Sequence, residues 1–198
     1  MTPPRWRKAV TIGLLTAMLI VHNAQRMGVV PVFAELLERF GTDYSGIGTL
    51  FGAYVLGYAL AQVAVGCFGD RYNARQLLLT GLALSAILSL LFAWTASYPL
   101  ALGSRFLLGT TGALLYTPAM KLGITLFPSG ERGRILGTLQ AGAGFGIVGA
   151  LIAIPLAIRQ FGMTGGFATL PLFTAAVLLA GMRQNWGDDR DHGVLRVA

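Results

Sequence analysis

The chain has 198 residues, 55% of them hydrophobic and 12% charged, with a net charge of +7 and a mean hydropathy of +0.66. A soluble domain carries about 25% charged residues, so this composition excludes an ordinary water-soluble globule. The basic residues stand in small groups between apolar runs, as loops between membrane segments do, and form no patch that would serve a nucleic acid.

From the start, Met1 to Lys8 is basic and leads into an apolar run that continues past Ile20. No small-x-small cleavage site follows Val21, so the segment reads as an uncleaved first helix rather than a signal peptide. Six apolar stretches reach the roughly 20 residues needed to cross a bilayer; they lie near 9–30, 46–68, 76–96, 100–122, 135–157 and 167–183. Continuous apolar runs select helices, because an open strand leaves backbone groups unpaired in lipid. The prediction is an all-α membrane protein, a single six-helix transmembrane bundle over residues 1–198. The longest outer connection, Pro31 to Tyr44, sets Phe33, Leu36, Leu37 and Phe40 between Glu35, Glu38 and Arg39, which predicts a short amphipathic helix at the interface.

Lys and Arg set the orientation. Eleven of the fifteen (Arg5, Arg7, Lys8, Arg71, Arg75, Lys121, Arg132, Arg134, Arg183, Arg190 and Arg196) fall on one side, and Arg39 and Arg159 on the other. The excess marks the cytoplasmic face and places both termini there. Arg26 and Arg105 fall within spans, where a charge is expensive and by default functional.

The first span carries His22, Asn23, Gln25 and Arg26; either they line an internal cavity, or the span ends early and they sit among headgroups. In the second, Gly48, Gly52, Ala53, Gly57 and Ala61 suggest a small-residue face for close helix contact. Tyr54, Tyr58 and Gln62 follow one position on, lining a wet cavity or forming a buried hydrogen-bonded stripe. A tight charged turn, Gly66 to Arg75, joins spans two and three; Asn73 suits a left-handed backbone there. Span four holds Arg105 ahead of Gly109, Gly112 and Ala113, and span five holds Gly142, Gly146 and Ala150 with Gly144 and Gly149 nearby. Pro118, Pro155 and Pro171 lie near or within spans. The histidines are His22 and His192, and no Gly-x-Ser-x-Gly elbow occurs, so no catalytic residues are expected. One cysteine, Cys67, allows neither an internal disulfide nor a cysteine metal site; no metal or cofactor is expected.

Gly66, Gly69, Asp70, Arg71, Tyr72 and Arg75, placed between spans two and three, resemble the loop signature of the major facilitator superfamily. Asn73 stands where that signature has Gly, and Ala74 lacks a basic group often found there. Arg105 with its small-residue face resembles the family's span-four pattern, Leu108 departing from it; Phe127 to Arg134 is similar to the loop that follows. The span-five glycines resemble the family's antiporter motif only in part, since Ile147 stands in place of its proline, and antiport is not inferred.

The resemblance runs from about Val10 to Met182, one six-helix half of a two-half transporter. It implies two three-helix repeats, spans 1–3 and 4–6, in inverted topology. It implies a plasma (inner) membrane location and a conformational latch at Gly66, Gly69, Asp70, Arg71 and Arg75. Family branches that transport organic anions carry an Arg at the place of Arg26. The implied function is a secondary active transporter, a half or truncated permease, moving a small solute such as an organic anion by alternating access. Arg26, Arg105, Asn23, Tyr54, Tyr58 and Gln62 are the candidate substrate-binding residues; the competing reading has each Arg bonded to helix carbonyls or snorkelling. The alternative function is an incomplete membrane protein of this type, active only with a second half or as a modulator. The expected partners are the lipid bilayer, the solute, and a second copy or second six-helix half. Every acid lies at a span end or in a loop, so none suggests a proton carrier.

Overall fold

The computed structural model describes residues 5–184, and helix fills nearly all of them. The α-helices are α1 (Arg5–Met27), α2 (Phe33–Phe40), α3 (Tyr44–Phe68), α4 (Ala74–Trp94), α5 (Tyr98–Thr125) and α6 (Arg132–Arg183). No strand occurs among the described residues. The segments Tyr44–Phe68, Ala74–Trp94 and Ser129–Arg183 are long and apolar enough to cross a membrane.

Short polar side chains start α3 and α4. Asp43 Oδ1 accepts from the Gly46 N–H at 2.9 Å and caps α3. Asn73 Oδ1 accepts from the N–H groups of Arg75 and Gln76 at 2.8 and 3.3 Å and caps α4. Asn73 has φ −66°, so its place in the turn reflects this cap and not the left-handed backbone expected of it. Gly41, at φ +58°, closes α2 in that conformation instead.

α6 runs 52 residues and bends at Gly162, where φ is 71° and ψ 176°. The two arms cover 132–161 and 163–183. The sequence reading expects a connection near 158–166; the structure makes the turn at one residue. Only a glycine reaches that backbone region without strain, and Gly166 lets the returning arm pack directly on the Ile158 backbone.

α3 lies along α5, α1 along α6, and α4 fits between α5 and α6. Two of these contacts bring backbone onto backbone. A Cβ at Gly57 would strike Phe106 O, and one at Gly109 would strike Tyr54 O, which joins α3 to α5. A Cβ at Gly142 would strike the Thr16 side chain, and one at Gly146 would lie 2.6 Å from Ile20 O, which joins α1 to α6. Gly48 and Gly52 meet nothing and are exposed, as are Gly144 and Gly149. The small face expected on α3 therefore narrows to Gly57. At about 100° per residue, Gly48 and Gly57 point to opposite sides of the helix.

Two apolar cores fill the bundle. One gathers Leu15, Met18, Leu78, Leu82, Leu115, Leu139 and Val177; the other gathers Val29, Leu36, Ile47, Leu50, Phe92, Ile154 and Phe167. The stretch of α1 between them contributes the buried polar residues His22, Asn23 and Gln25. Ser85, Ser89, Arg105, Thr111 and Thr174 are buried from the facing helices.

Candidate functional site

The polar layer is organised around the last two turns of α1. A helix end leaves its final carbonyls without intrahelical donors. Arg105, reaching from α5 and 2% exposed, supplies them: Nη1 donates to Gln25 O at 2.7 Å and Nη2 to Arg26 O at 3.1 Å. The rings of Tyr54 and Phe92 flank the guanidinium, their centroids 4.8 and 5.5 Å from its carbon. Nε has no partner among the described residues, and Arg105 borders a small cavity lined also by Gln25, Ser89, Phe92 and Phe167.

Two other arginines serve helix ends similarly. Arg39 Nη2 donates to Ala93 O at 2.6 Å and to Thr95 O at 2.7 Å, closing α4. Burial pulls the Arg39 guanidinium below its ordinary range. Arg75 Nη2 donates to Met182 O at 3.4 Å, near the end of α6. Each cation sits at the negative end of a helix dipole.

His22 is 2% exposed. The Tyr54 hydroxyl lies 3.1 Å from its Nδ1 and 3.2 Å from its carbonyl oxygen. The rings of Tyr58 and Tyr116 lie tilted against it at 5.1 and 6.1 Å between centroids. Gly112 makes room for the ring, since a Cβ there would approach Nδ1 to 2.6 Å. Asn23 Nδ2 donates to Leu19 O, Gln25 Nε2 donates to Thr174 Oγ1 at 3.0 Å, and Ser85 and Thr111 share a 2.7 Å hydrogen bond.

Arg26 differs from all of these. It is half-buried, one turn beyond His22 on the same face of α1, and has no hydrogen-bond or ion-pair partner among the described residues. α1, α3, α4, α5 and α6 contain no Asp or Glu. The structure thus gathers Arg26, Tyr54 and Tyr58 about His22, holds Arg105 on α1 carbonyls, and closes Asn23 on its own helix. Gln62 continues the stripe one turn past Tyr58, its Oε1 buried without a partner among the described residues.

In the loop between α3 and α4, Gly69–Arg71 forms a single 3-10 turn and the Arg71 guanidinium lies 5.4 Å from the Phe68 ring centroid. Gly66 meets nothing. The Asp70 side chain lies outside what the structure describes, as do His192, Arg190 and Arg196. No cluster of His, Cys, Asp and Glu able to hold a metal occurs among the described residues.

Sequence reasoning missed the His22–Tyr54 pair, the Gln25–Thr174 bond and the cap formed by Arg39. A histidine inside an apolar run was a usable signal for the first. Nothing local marks the other two, whose partners lie 149 and 54 to 56 residues away.

Long apolar helices closed around a polar layer and packed through glycines define an integral membrane protein of helical-bundle type. Residues 15–193 match the Major Facilitator Superfamily, and the chain belongs to that family. It is 28% identical to Probable anion transporter 3, chloroplastic, of Arabidopsis thaliana over 182 residues, 89% of this chain and 36% of that protein. It is 32% identical over 135 residues to the multidrug efflux pump LfrA of Mycolicibacterium smegmatis, covering 68% of this chain and 26% of the pump. The chain therefore spans about a third of the length of the curated relatives it matches. Its fold is shared with a bacterial homolog to the human lysosomal transporter Spinster, in an inward-facing and occupied conformation. The TM-score is 0.83 at 17% identity, covering 92% of this chain and 45% of that one.

Proposed function

We propose that this chain forms a six-span half of a secondary transporter that moves a small anion by alternating access, with both termini cytoplasmic at a plasma (inner) membrane. Two triplets support the repeat: α1, α3 and α4, then α5 and the two arms of α6. The second helix of each triplet packs on the first helix of the other, through Gly57 and Gly109 in one case and Gly142 and Gly146 in the other. Inverted three-helix repeats pack in this reciprocal way.

The observation that carries the substrate reading is Arg26, a guanidinium without a counter-charge in helices that hold no acid. Arg stays charged at any accessible pH, and a carboxylate or phosphate could engage it bidentately. Tyr58, Tyr116 and Gln140, all reachable from the bundle surface, supply further polar contacts on this side. Several relatives bear the name anion transporter. In this reading Arg105 holds the end of α1 that presents Arg26, and a second copy or second six-helix half closes the cavity. The test is uptake into proteoliposomes of labelled phosphate and benzoate against labelled glucose. Anions should enter at least about tenfold faster, and Arg26→Gln should remove most of that difference, as loss of a charge-assisted contact implies. Preference for glucose, or anion uptake indifferent to Arg26→Gln, refutes the reading.

A further inference from the structure

α2 has eight residues, too few for a helix to persist in water by itself. Its place is set by what it touches. Leu36 is fully buried among Val29, Val32, Ile47 and Phe92, while Glu35 and Glu38 face outward. The Phe40 ring meets Phe92 and Tyr98 at 6.3 and 6.2 Å between centroids, the second pair edge-on. These contacts are apolar and carry little direction. The directional bonds come from Arg39.

Arg39 commits its guanidinium to one place, the turn between α4 and α5. Nε donates to Thr95 O at 3.1 Å, and Nη2 donates to Ala93 O at 2.6 Å and to Thr95 O at 2.7 Å. Nη1 is enclosed and has no partner among the described residues. The same turn is tied to α3, because the Tyr98 hydroxyl donates to Gly46 O at 2.9 Å. At its other end α2 leads back to the candidate anion ligand. Arg26 lies in the last turn of α1, and only Gly28 and Val29 separate α1 from the 3-10 turn Val30–Val32, which α2 follows directly. That connection is tight: a Cβ on Gly28 would lie 2.9 Å from Ile154 Cδ1 and 3.0 Å from Ala24 O. A movement of α2 is therefore passed to the last turn of α1 and not absorbed by a loop. Arg105 holds that turn from α5, and Arg39 holds it from outside through α2.

We propose that Arg39 is a positioning residue for the anion site: α2 is a strap, fastened by Arg39 to the α4–α5 turn, that keeps the outer end of α1, and with it Arg26, in place. The bearing on transport rests on the anion reading above; the fastening itself does not. With the strap released, Arg26 is in place only part of the time. Affinity for the anion then falls by that fraction, while the rate from the loaded state is kept.

The fastening and the anion site are read separately. Hydrogen exchange of the full chain in lipid nanodiscs reports the fastening. Arg39→Gln should speed exchange severalfold over residues 24–40 and leave the loop at 66–75 as in the parent. Arg39→Lys keeps the charge but not the fork; it should give an intermediate rise, and it carries the test if Arg39→Gln fails to fold. In proteoliposomes, Arg39→Gln should raise KM for labelled benzoate or phosphate by about tenfold, as when the competent arrangement is populated a tenth of the time. Its kcat should stay within about twofold of the parent, whereas a protein that is merely less stable loses kcat. In a Cys67→Ser background, Arg39→Cys with Ala96→Cys, the latter at an exposed position of the turn, should show the same rise in KM. Joining the two thiols with a short bis-maleimide should reverse it without restoring the charge. Exchange over 24–40 unmoved in both Arg39→Gln and Arg39→Lys overturns the strap. With uptake sensitive to Arg26→Gln, a KM unmoved by Arg39→Gln, or a loss that the linker does not reverse, overturns Arg39 as a positioning residue. Faster exchange with uptake indifferent to Arg26→Gln keeps the strap and overturns the anion reading.

Discussion

Two arginines on touching helices illustrate how context sets the role of a side chain. Arg105 is enclosed, forks across two carbonyls and lies against two rings; Arg26, whose own carbonyl it holds, is half-buried and unpaired among the described residues. A planar fork reaches both oxygens at once, whereas an ammonium cannot reproduce that geometry. Arg105→Lys should therefore destabilise the protein by about 1.5–3 kcal/mol, the range for hydrogen bonds to charged groups. Arg26→Gln should change stability by less than about 0.5 kcal/mol, as expected where no native contact is lost. Unfolding in mixed detergent, followed by circular dichroism, distinguishes them. Equal losses from the two substitutions would mean that Arg26 holds the fold as Arg105 does. In the sequence the two positions look alike, each an Arg in an apolar run. The donors and acceptors that separate them come from helices 79 and 80 residues apart.

Among elements, the deciding contact is the crossing of α3 and α5. Gly57 and Gly109 allow each helix to touch the other's carbonyl, while Gly52, five residues before Gly57, faces open space. Gly57→Leu should cost more than the 1–3 kcal/mol usual for overpacking, because the obstacle is backbone rather than a side chain that can turn aside. Gly52→Leu should insert and melt like the parent. Comparable thermal stability of the two in detergent would remove the close crossing. The loop after α3 makes a separate claim. If Gly66, Gly69, Asp70, Arg71 and Arg75 act as a latch, Asp70→Asn should reduce uptake severalfold at unchanged expression and melting temperature, through loss of charge-assisted bonds to one conformer. Unaltered uptake would leave the loop as a topology signal. The caps at Asp43 and Asn73 show which part of this level a sequence discloses: a short polar residue before an apolar run satisfies N–H groups two or three positions on. Such bonds are local and a signal for them stands in the sequence, yet the sequence reading named neither cap and took Asn73 for a left-handed residue.

For the whole molecule, the orientation can be read by labelling. In a Cys67→Ser background, Arg132→Cys should react with a membrane-impermeant maleimide only from the cytoplasmic side, and Arg159→Cys only from outside. Reaction of position 132 from the outer face would invert the topology. The two positions lie at opposite ends of the first arm of α6, before the bend at Gly162, so the labelling also tests whether that arm crosses the membrane.

The sequence by itself determined the material and the family. Apolar runs of bilayer length, sparse charge and the Gly66 to Arg75 pattern are properties of neighbouring residues, and they require no knowledge of which helix touches which. It also located the polar patch on α1 and the arginine on α5. Only the tertiary structure decided that Arg105 closes α1, that Arg39 closes α4, that Tyr54 bonds to His22, and that Gly57 rather than Gly48 makes the crossing. The reason is physical. A helix exhausts its own backbone hydrogen bonds except at its ends, so what satisfies those ends, and what faces a buried ring, is fixed by the rotation and depth at which separate helices meet. That rotation advances about 100° with every residue, and a spacing of four reads as one face only over a turn or two.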